Sequence, residues 1–222
     1  MGILILREWP GVGEIIKKLV MNKHDKVKKH SSIRFIDYLV AKREIKLLLK
    51  NCAYSVLYVF RRITSRKIEL TNNILFVCKG NICRSAFAEY RFKMIVQENR
   101  DHLVIRSCGL EANPSGQSPN DALTVAGEYG VELTNHVPKP VTSSYVDDAD
   151  ILLAMEYRQL KEIKKKYPMH KEKIRLLREF APFPHNLLVN IDDPYGWGIP
   201  VFRKSFAMIG KALLGLIKRM KE

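Results

Sequence analysis

The stretch NILFVCKGNICRSAFAEY, residues 73–90, constrains the fold of this chain more than any other part of its sequence. Its β-favouring run ILFV predicts a short buried strand, and the residues from Ser85 onward predict a helix. The loop between them begins at Cys78 and ends at Arg84. Because a strand that leads through a short loop into a helix is the first half of a βαβ unit, this stretch favours a parallel sheet.

Strands and helices alternate from this stretch to the end of the chain. Strands are predicted at 74–78, 102–109, 148–155 and 173–180, and helices at 85–98, 118–130 and 156–168. A terminal helix is predicted from apolar residues that recur at intervals of three and four between Phe202 and Met220. The sequence therefore predicts an α/β fold, a four-stranded parallel sheet flanked by helices. Cys78 ends the first strand, and ligands of such sheets bind beyond the carboxyl ends of their strands.

The charge of the chain is unevenly distributed. The net charge is +15, and residues 1–72 hold 16 lysines and arginines against 6 acidic residues. We therefore predict two parts, a basic, largely helical extension and linker over 1–72 and the α/β domain over 73–222. The extension suits an anionic membrane surface or a protein partner better than nucleic acid, because no stacking aromatic residues interleave its basic side chains in a recognised pattern.

The sequence carries no evident secretory or membrane-spanning signal. The apolar start MGILIL ends at Arg7, and the longest apolar stretch, 47–60, contains a lysine and an asparagine. A spanning helix needs roughly 20 apolar residues. We therefore predict a cytoplasmic protein, which the basic extension could hold peripherally at a membrane.

The cysteines follow neither a disulfide framework nor a metal-binding pattern. They are Cys52, Cys78, Cys83 and Cys108. No CxxC pair and no accompanying ligand cluster is present, so we predict no metal and no other cofactor. Cys52 and Cys108 are interpreted as structural residues.

The loop CKGNICRS has the residue types of an oxyanion receptor. Backbone N–H groups of a loop that leads into a helix N-terminus form a nest for a tetrahedral anion. Gly80 allows the backbone to curl, and Asn81 is one of the few other residues that tolerates the left-handed region. Arg84 can hold two phosphate oxygens with one planar group.

Cys78 is predicted to lie at the base of this nest. The loop dipoles and Arg84 would stabilise its thiolate, and Ser85 can donate a hydrogen bond to that thiolate and later to the departing sulfur. The loop is then both a phosphate receptor and an activated nucleophile. The alternative interpretation of Cys78 is a buried cysteine that only packs.

With these residues in place, VCKGNICRSAFAE resembles the signature loop of the low-molecular-weight protein tyrosine phosphatases of bacterial type. The resemblance covers 73–222 and leaves the extension unmatched. It implies the flavodoxin-like fold of that family and metal-independent hydrolysis of phosphotyrosine through a phosphocysteine. The stretch NIDDPYGWG, 190–198, is similar to the family's Asp-Pro loop, in which Asp193 would be the general acid and base and Asp192 a lesser candidate.

The resemblance also implies the full set of site residues. Cys78, Arg84 and Asp193 are predicted to be catalytic, and Lys79, Gly80, Asn81, Ile82, Cys83, Ser85 and Tyr195 to bind phosphate or substrate. Cys83 either packs inside the loop or forms a reversible disulfide with Cys78 that protects the nucleophile. Lys79 stands where the family often has an apolar residue, and would attract acidic residues near a phosphotyrosine or alter the choice of substrate. His136 is not predicted to be catalytic, since this chemistry needs no histidine.

Two other functions fit parts of the same pattern. An arsenate reductase of this fold would need a further pair of cysteines downstream, and no cysteine follows Cys108. A module that only binds phosphotyrosine would lack Cys78, Arg84 or Asp193, and all three are present. The predicted partner is a phosphotyrosine protein, for which the resemblance to bacterial members suggests a tyrosine kinase of exopolysaccharide type.

Overall fold

The computed structural model describes residues 72–96 and 103–221. The strands are β1 (Asn73–Cys78), β2 (Val104–Gly109), β3 (Ile151–Ala154) and β4 (Ile174–Leu176). The helices are α1 (Arg84–Val96), α2 (Asn120–Gly127), α3 (Ser143–Asp148), α4 (Tyr157–Lys166) and α5 (Ile199–Lys221). Short 3-10 helices span Pro168–Lys173, Leu177–Phe180 and His185–Leu187. The helical extension predicted before residue 72 and Cys52 within it lie outside the described residues.

The four strands form one parallel sheet in the order β2-β1-β3-β4. This confirms the predicted four-stranded parallel sheet flanked by helices. The chain leaves β1 for β2 on one side and later returns to β3 on the other, so β1 ends where the strand order reverses. Open parallel sheets bind their ligands at such a point, and Cys78 is the last residue of β1.

Each face of the sheet is covered by its own apolar cluster. The cluster formed with α1, α2 and α5 includes Phe76, Phe87 and Phe206, and the rings of Phe87 and Phe206 stack with centroids 4.0 Å apart. The cluster on the other face includes Leu75 and residues of α3 and α4. Burial on both faces explains why the sheet strands have apolar runs rather than alternation.

Two segments differ from the sequence prediction. The strand predicted over 173–180 ends at Leu176, and the chain continues as the 3-10 helix Leu177–Phe180, which packs against α5. Both segments are buried, and an apolar run alone does not distinguish a buried strand from a buried helical turn. The short helix α3 was not predicted, and the side chain of Thr142 caps it by accepting a hydrogen bond from the Tyr145 amide at 3.3 Å. Among the described residues, no helix is both long and apolar enough to cross a bilayer.

Helix α5 approaches the 3-10 helix so closely that Gly215 has no room for a side chain. A Cβ at Gly215 would overlap the carbonyl oxygen of Phe180, whereas a Cβ at Gly210 would meet nothing within 4 Å. We expect Gly215→Ala to lower the free energy of unfolding by about 3 kcal/mol, since backbone must move. Gly210→Ala, the matched control, should raise it by about 0.5–1 kcal/mol through helix propensity. Urea denaturation measures both, and equal effects of the two changes would contradict the close approach.

Candidate active site

The loop between β1 and α1 brings two hydrogen-bonding groups to the sulfur of Cys78. Cys78 Sγ lies 2.9 Å from Ser85 Oγ and accepts a hydrogen bond from the Asn81 amide at 3.3 Å. Cys78 is 3% exposed, at the end of a buried strand. The sulfur therefore has one assigned donor, the Asn81 amide, and a hydroxyl group within hydrogen-bonding distance.

Asn81 fixes the shape of the loop. It has a φ of 54°, in the left-handed region, and is fully buried. Its side-chain Nδ2 donates to Ser85 Oγ at 2.9 Å and to Ser107 Oγ at 2.8 Å, and its Oδ1 accepts from the Lys139 amide at 2.8 Å. The side chain therefore ties the loop to β2 and to the segment after α2, while its own amide faces the sulfur of Cys78.

A second layer of buried polar groups supports Asn81. Ser107 Oγ donates to Glu89 Oε2 at 2.6 Å, and Lys93 Nζ lies 2.5 Å from Glu89 Oε1. His136 Nε2 lies 2.8 Å from the carbonyl oxygen of Asn81, to which its N–H donates. Burial lowers the pKa of His136, so the ring is neutral at neutral pH and serves as a donor to the loop.

Arg84 opens α1 and is 1% exposed. Its Nη1 donates to Glu156 Oε1 at 2.6 Å and to the Ile191 carbonyl at 2.9 Å, and its Nη2 lies 2.7 Å from Asp193 Oδ2. Burial alone would lower the pKa of Arg84, but the charge of Cys78, followed by those of the two carboxylates, outweighs burial and raises it. Nη1 is held by two protein acceptors, so an oxyanion would bind the Nε–Nη2 edge and compete there with Asp193 for Nη2.

Glu156 is the site residue that the sequence interpretation missed. It follows β3 by two positions and caps α4, accepting a hydrogen bond from Gln159 Nε2 at 2.9 Å. The cap fixes the carboxylate against Arg84, so the arginine is oriented as well as charged. The signal that could have found Glu156 is its place directly after a buried strand, at the same edge of the sheet as Cys78.

The Asp-Pro loop brings Asp193 to Arg84 from the far end of the domain. The loop is anchored on one side by the Ile191 amide, which donates to the Met155 carbonyl at 2.8 Å, and on the other by Ser205 Oγ, which donates to the Asp192 carbonyl at 3.2 Å. The carboxylate of Asp193, and not that of Asp192, contacts Arg84. The side chain of Asp193 is 42% exposed, so it can meet both a substrate and water.

Tyr195 and Trp197 project from the same loop, with 61% and 74% of their surfaces exposed. The Tyr195 amide donates to Asp193 Oδ1 at 3.4 Å, and the Trp197 amide donates to the Pro194 carbonyl at 3.0 Å. Gly196, between them, has a φ of 80°, which permits the turn. Tyr195, which is exposed, therefore follows Asp193, the residue that contacts Arg84, by two positions.

The remaining loop residues are arranged around this centre. Lys79 is half-exposed and pairs with Glu111 at 3.4 Å, a surface ion pair of small energy. A Cβ at Gly80 would meet only the side chain of Ile82, at an ordinary 3.5 Å. The tight position is Gly109 at the end of β2, where a Cβ would lie 2.7 Å from the Lys79 carbonyl oxygen. The loop's close approach to β2, rather than its own curl, therefore requires a glycine.

The two other described cysteines are buried thiols. Burial raises the pKa of Cys83, and the charge of Cys78 raises it further, so Cys83 is not ionised at neutral pH. Burial likewise raises the pKa of Cys108. Cys83 belongs to the same apolar cluster as Cys78, whereas Cys108 belongs to the cluster on the other face of the sheet. Of the two, only Cys83 shares the cluster of the nucleophile candidate.

Known proteins resemble this chain in sequence and in fold. Residues 73–222 match the family model described as low molecular weight phosphotyrosine protein phosphatase. A protein-arginine-phosphatase of Bacillus subtilis is 31% identical over 150 residues, which are 68% of this chain and 97% of that protein. The probable low molecular weight protein-tyrosine-phosphatase EpsP of Ralstonia solanacearum is 28% identical over 152 residues, 68% of this chain and 98% of that protein. The structure of the tyrosine phosphatase Wzb from Escherichia coli K30 in complex with sulphate is 26% identical, has a TM-score of 0.60, and matches 67% of this chain and 97% of that chain.

Proposed function

Because the chain belongs to the low molecular weight phosphotyrosine protein phosphatase family, a family of hydrolases, we propose that it hydrolyses phosphotyrosine in proteins through a phosphocysteine on Cys78. One observation carries the proposal. The Cys78 sulfur, with its two hydrogen-bonding groups, shares a site with a buried arginine that contacts Asp193 at 2.7 Å. These are a nucleophile, a phosphate clamp and an acid, the three groups that the reaction needs.

In the first step the phosphate dianion binds the loop amides and the Nε–Nη2 edge of Arg84. Its charge competes with the carboxylate of Asp193 for the guanidinium of Arg84. The Cys78 thiolate attacks phosphorus, so that the P–S bond forms as the P–O bond to tyrosine breaks. Asp193 gives its proton to the departing phenolate oxygen, and Tyr195 walls the cleft.

In the second step water hydrolyses the phosphocysteine. Asp193, now a carboxylate, accepts a proton from the attacking water, and the P–S bond breaks. Ser85 donates a hydrogen bond to the departing sulfur, which lies 2.9 Å from its hydroxyl group. The thiolate is regenerated and inorganic phosphate is released, and neither step calls for a metal.

Phosphoarginine is a second candidate substrate, because the relative with 31% identity is named a protein-arginine-phosphatase. The same nucleophile would then break a P–N bond. Peptides that differ only in phosphotyrosine, phosphoarginine or phosphoserine, assayed in EDTA, separate the alternatives by kcat/KM. Selectivity for phosphotyrosine supports the proposal, selectivity for phosphoarginine replaces its substrate, and phosphopeptide binding without turnover would leave only a binding module. If none of these occurs, arsenate reduction is the next activity to assay.

Replacing Asp193 with asparagine should depend on the leaving group. We expect kcat for a phosphotyrosine peptide to fall about 10²–10⁴-fold, because the phenolate must leave without a proton. The fall in kcat should be smaller for p-nitrophenyl phosphate, because nitrophenolate leaves more readily without a proton. Asp192→Asn is the matched control and should change kcat only a few-fold, since its carboxylate does not contact Arg84. An equal fall for both substrates would argue against a general acid at Asp193.

Several further expectations stay predictions. They are the division of the chain at residue 73, a tyrosine kinase as the phosphotyrosine partner, attachment of residues 1–72 to an anionic membrane or a protein, and a reversible disulfide between Cys78 and Cys83. Vesicles that contain anionic lipid test the attachment, with and without residues 1–72. Vesicle binding that does not depend on salt, or no vesicle binding at all, would contradict an electrostatic anchor.

A further inference from the structure

A pocket lies on the side of α1 that the proposed reaction does not use. Its volume is about 480 Å³, in the range of small-molecule sites. Helix α1 contributes Tyr90, Lys93 and Met94, which share one face because they are three and four residues apart. The segment after α2 contributes Val131, Glu132 and Asn135. The pocket thus joins an aromatic and aliphatic wall to one ammonium group, one carboxylate and one amide.

One chain of hydrogen bonds connects this pocket to the nucleophile. Lys93 Nζ on the pocket wall lies 2.5 Å from Glu89, which accepts from Ser107 at 2.6 Å. Ser107 in turn accepts from Asn81 at 2.8 Å, and the Asn81 amide donates to Cys78 at 3.3 Å. Every link is a contact of hydrogen-bonding length, and Glu89 is only 6% exposed. A buried carboxylate depends strongly on its cation, so a change at Lys93 alters the environment of Glu89, to which Ser107 donates.

A second contact reaches the same residue of the loop. The ring of Tyr90 packs edge-on against His136, with centroids 5.6 Å apart, and His136 bonds to the Asn81 carbonyl. The pocket wall is therefore connected to the Asn81 carbonyl through His136, as well as to the Asn81 side chain through Glu89 and Ser107. Both routes meet at Asn81, whose amide donates to the sulfur of Cys78.

The lining defines the chemical class of the ligand. Among the described residues that line the pocket, Lys93 is the only cationic one; its side chain is 47% exposed and its Nζ lies 5.6 Å from the centroid of the Tyr90 ring. An anionic group would take N–H donors of Lys93, and a flat apolar body would cover Tyr90, Met94 and Val131. The carboxylate of Glu132 limits the negative charge that the pocket accepts. These features fit a small aromatic anion with a single charge, such as an aryl carboxylate.

We propose that this pocket is a second ligand-binding site for a small aromatic carboxylate, coupled to the catalytic loop through Lys93, Glu89, Ser107 and Asn81. A bound carboxylate shares Lys93 with Glu89 and weakens that ion pair. The hydrogen bonds of Ser107 and Asn81 then readjust. The position of the Asn81 amide, which donates to Cys78, changes with them. The coupling rests on the proposed phosphatase activity, whereas the binding does not.

Calorimetry with 2-naphthoate, added to the full chain, tests the binding. Asn135→Trp fills the pocket from an exposed position, and Arg84→Met disables the oxyanion nest. We expect binding to survive Arg84→Met and to be lost in Asn135→Trp. Lys93→Met should weaken it by about tenfold or more, because a charge-assisted hydrogen bond is removed. Glu132→Gln should strengthen it a few-fold, and the neutral amide of the probe should bind weakly to all variants.

Kinetics with a phosphotyrosine peptide tests the coupling. Saturating 2-naphthoate should change kcat of the wild type by roughly two- to tenfold, and should not do so in Asn135→Trp. Binding that disappears in Arg84→Met but persists in Asn135→Trp would place the probe in the oxyanion nest and overturn the proposal, as would no binding at all. Pocket binding with an unchanged kcat would overturn the coupling. A protein that binds in the pocket but hydrolyses no phosphopeptide would instead count against the proposed function.

Discussion

Replacing Cys78 with serine is expected to abolish turnover, lowering kcat for phosphotyrosine by at least about 10⁴-fold. A serine hydroxyl is not ionised at neutral pH, and the two groups that hydrogen-bond to the Cys78 sulfur do not supply a base for it. The loop and Arg84 remain, so the variant should still bind phosphate. Single-turnover assays with a phosphotyrosine peptide, together with calorimetry of phosphate binding, measure both properties.

Cys108→Ala is the matched control for this change. Cys108 is also buried in the domain, but it lies in the apolar cluster on the other face of the sheet. We expect its replacement to change kcat only a few-fold. Turnover by Cys78→Ser within tenfold of the wild type would exclude a phosphocysteine, and an equal loss in Cys108→Ala would show that any disturbance of the buried cysteines stops the enzyme.

Arg84→Lys should lower kcat/KM by about 10³-fold although it preserves the charge. A lysine cannot present the Nε–Nη2 edge to two phosphate oxygens while also bonding to Glu156 and the Ile191 carbonyl. Some of the loss will come from these orphaned acceptors, so the thermal midpoint must be measured beside the kinetics. Phosphate binding should weaken in parallel with kcat/KM.

Lys79→Met serves as the control for charge at the same loop. Lys79 is half-exposed and its pair with Glu111 is at the surface, so kcat/KM should change only a few-fold. If Arg84→Lys retained most of the activity, a bidentate clamp would not be part of the mechanism. If Lys79→Met were as damaging as Arg84→Lys, general attraction of the anion would explain the role of both residues.

The parts of the site that could be predicted from the sequence are those encoded within a few residues. Cys78, Asn81, Arg84 and Ser85 lie in one loop, so their relative positions follow once the strand and the helix are recognised. Asp193 lies far along the chain and was found only because its Asp-Pro neighbourhood resembles that of a known family. The roles of these residues await the experiments above, but the structure does bring them together.

The groups that the sequence did not reveal act across long separations or by close approach. Glu156 and the Ile191 carbonyl reach Arg84 from 72 and 107 residues away, and nothing local marks either as a partner. Gly109 matters because of a backbone in another segment, which no pattern within β2 records. The strand predicted over 173–180 was too long because Leu177 and Phe180 are buried in a helical turn, and burial gives both conformations the same apolar signature.

The bond from Arg84 to the Ile191 carbonyl has a consequence for how activity appears during folding. The loop that holds Cys78 and Arg84 is synthesised early in the domain, yet the acceptors that orient Arg84, on Glu156 and Ile191, follow 72 and 107 positions later. Contacts of such separation close after local ones, because the chain between them must first be ordered. A ribosome-bound chain that ends before Ile191 therefore carries Cys78 and Arg84 without the carbonyl to which the arginine donates. On refolding, turnover should recover only after the C-terminal segment has docked. The recovery of enzymatic activity would then report when the last long-range contacts of the fold form.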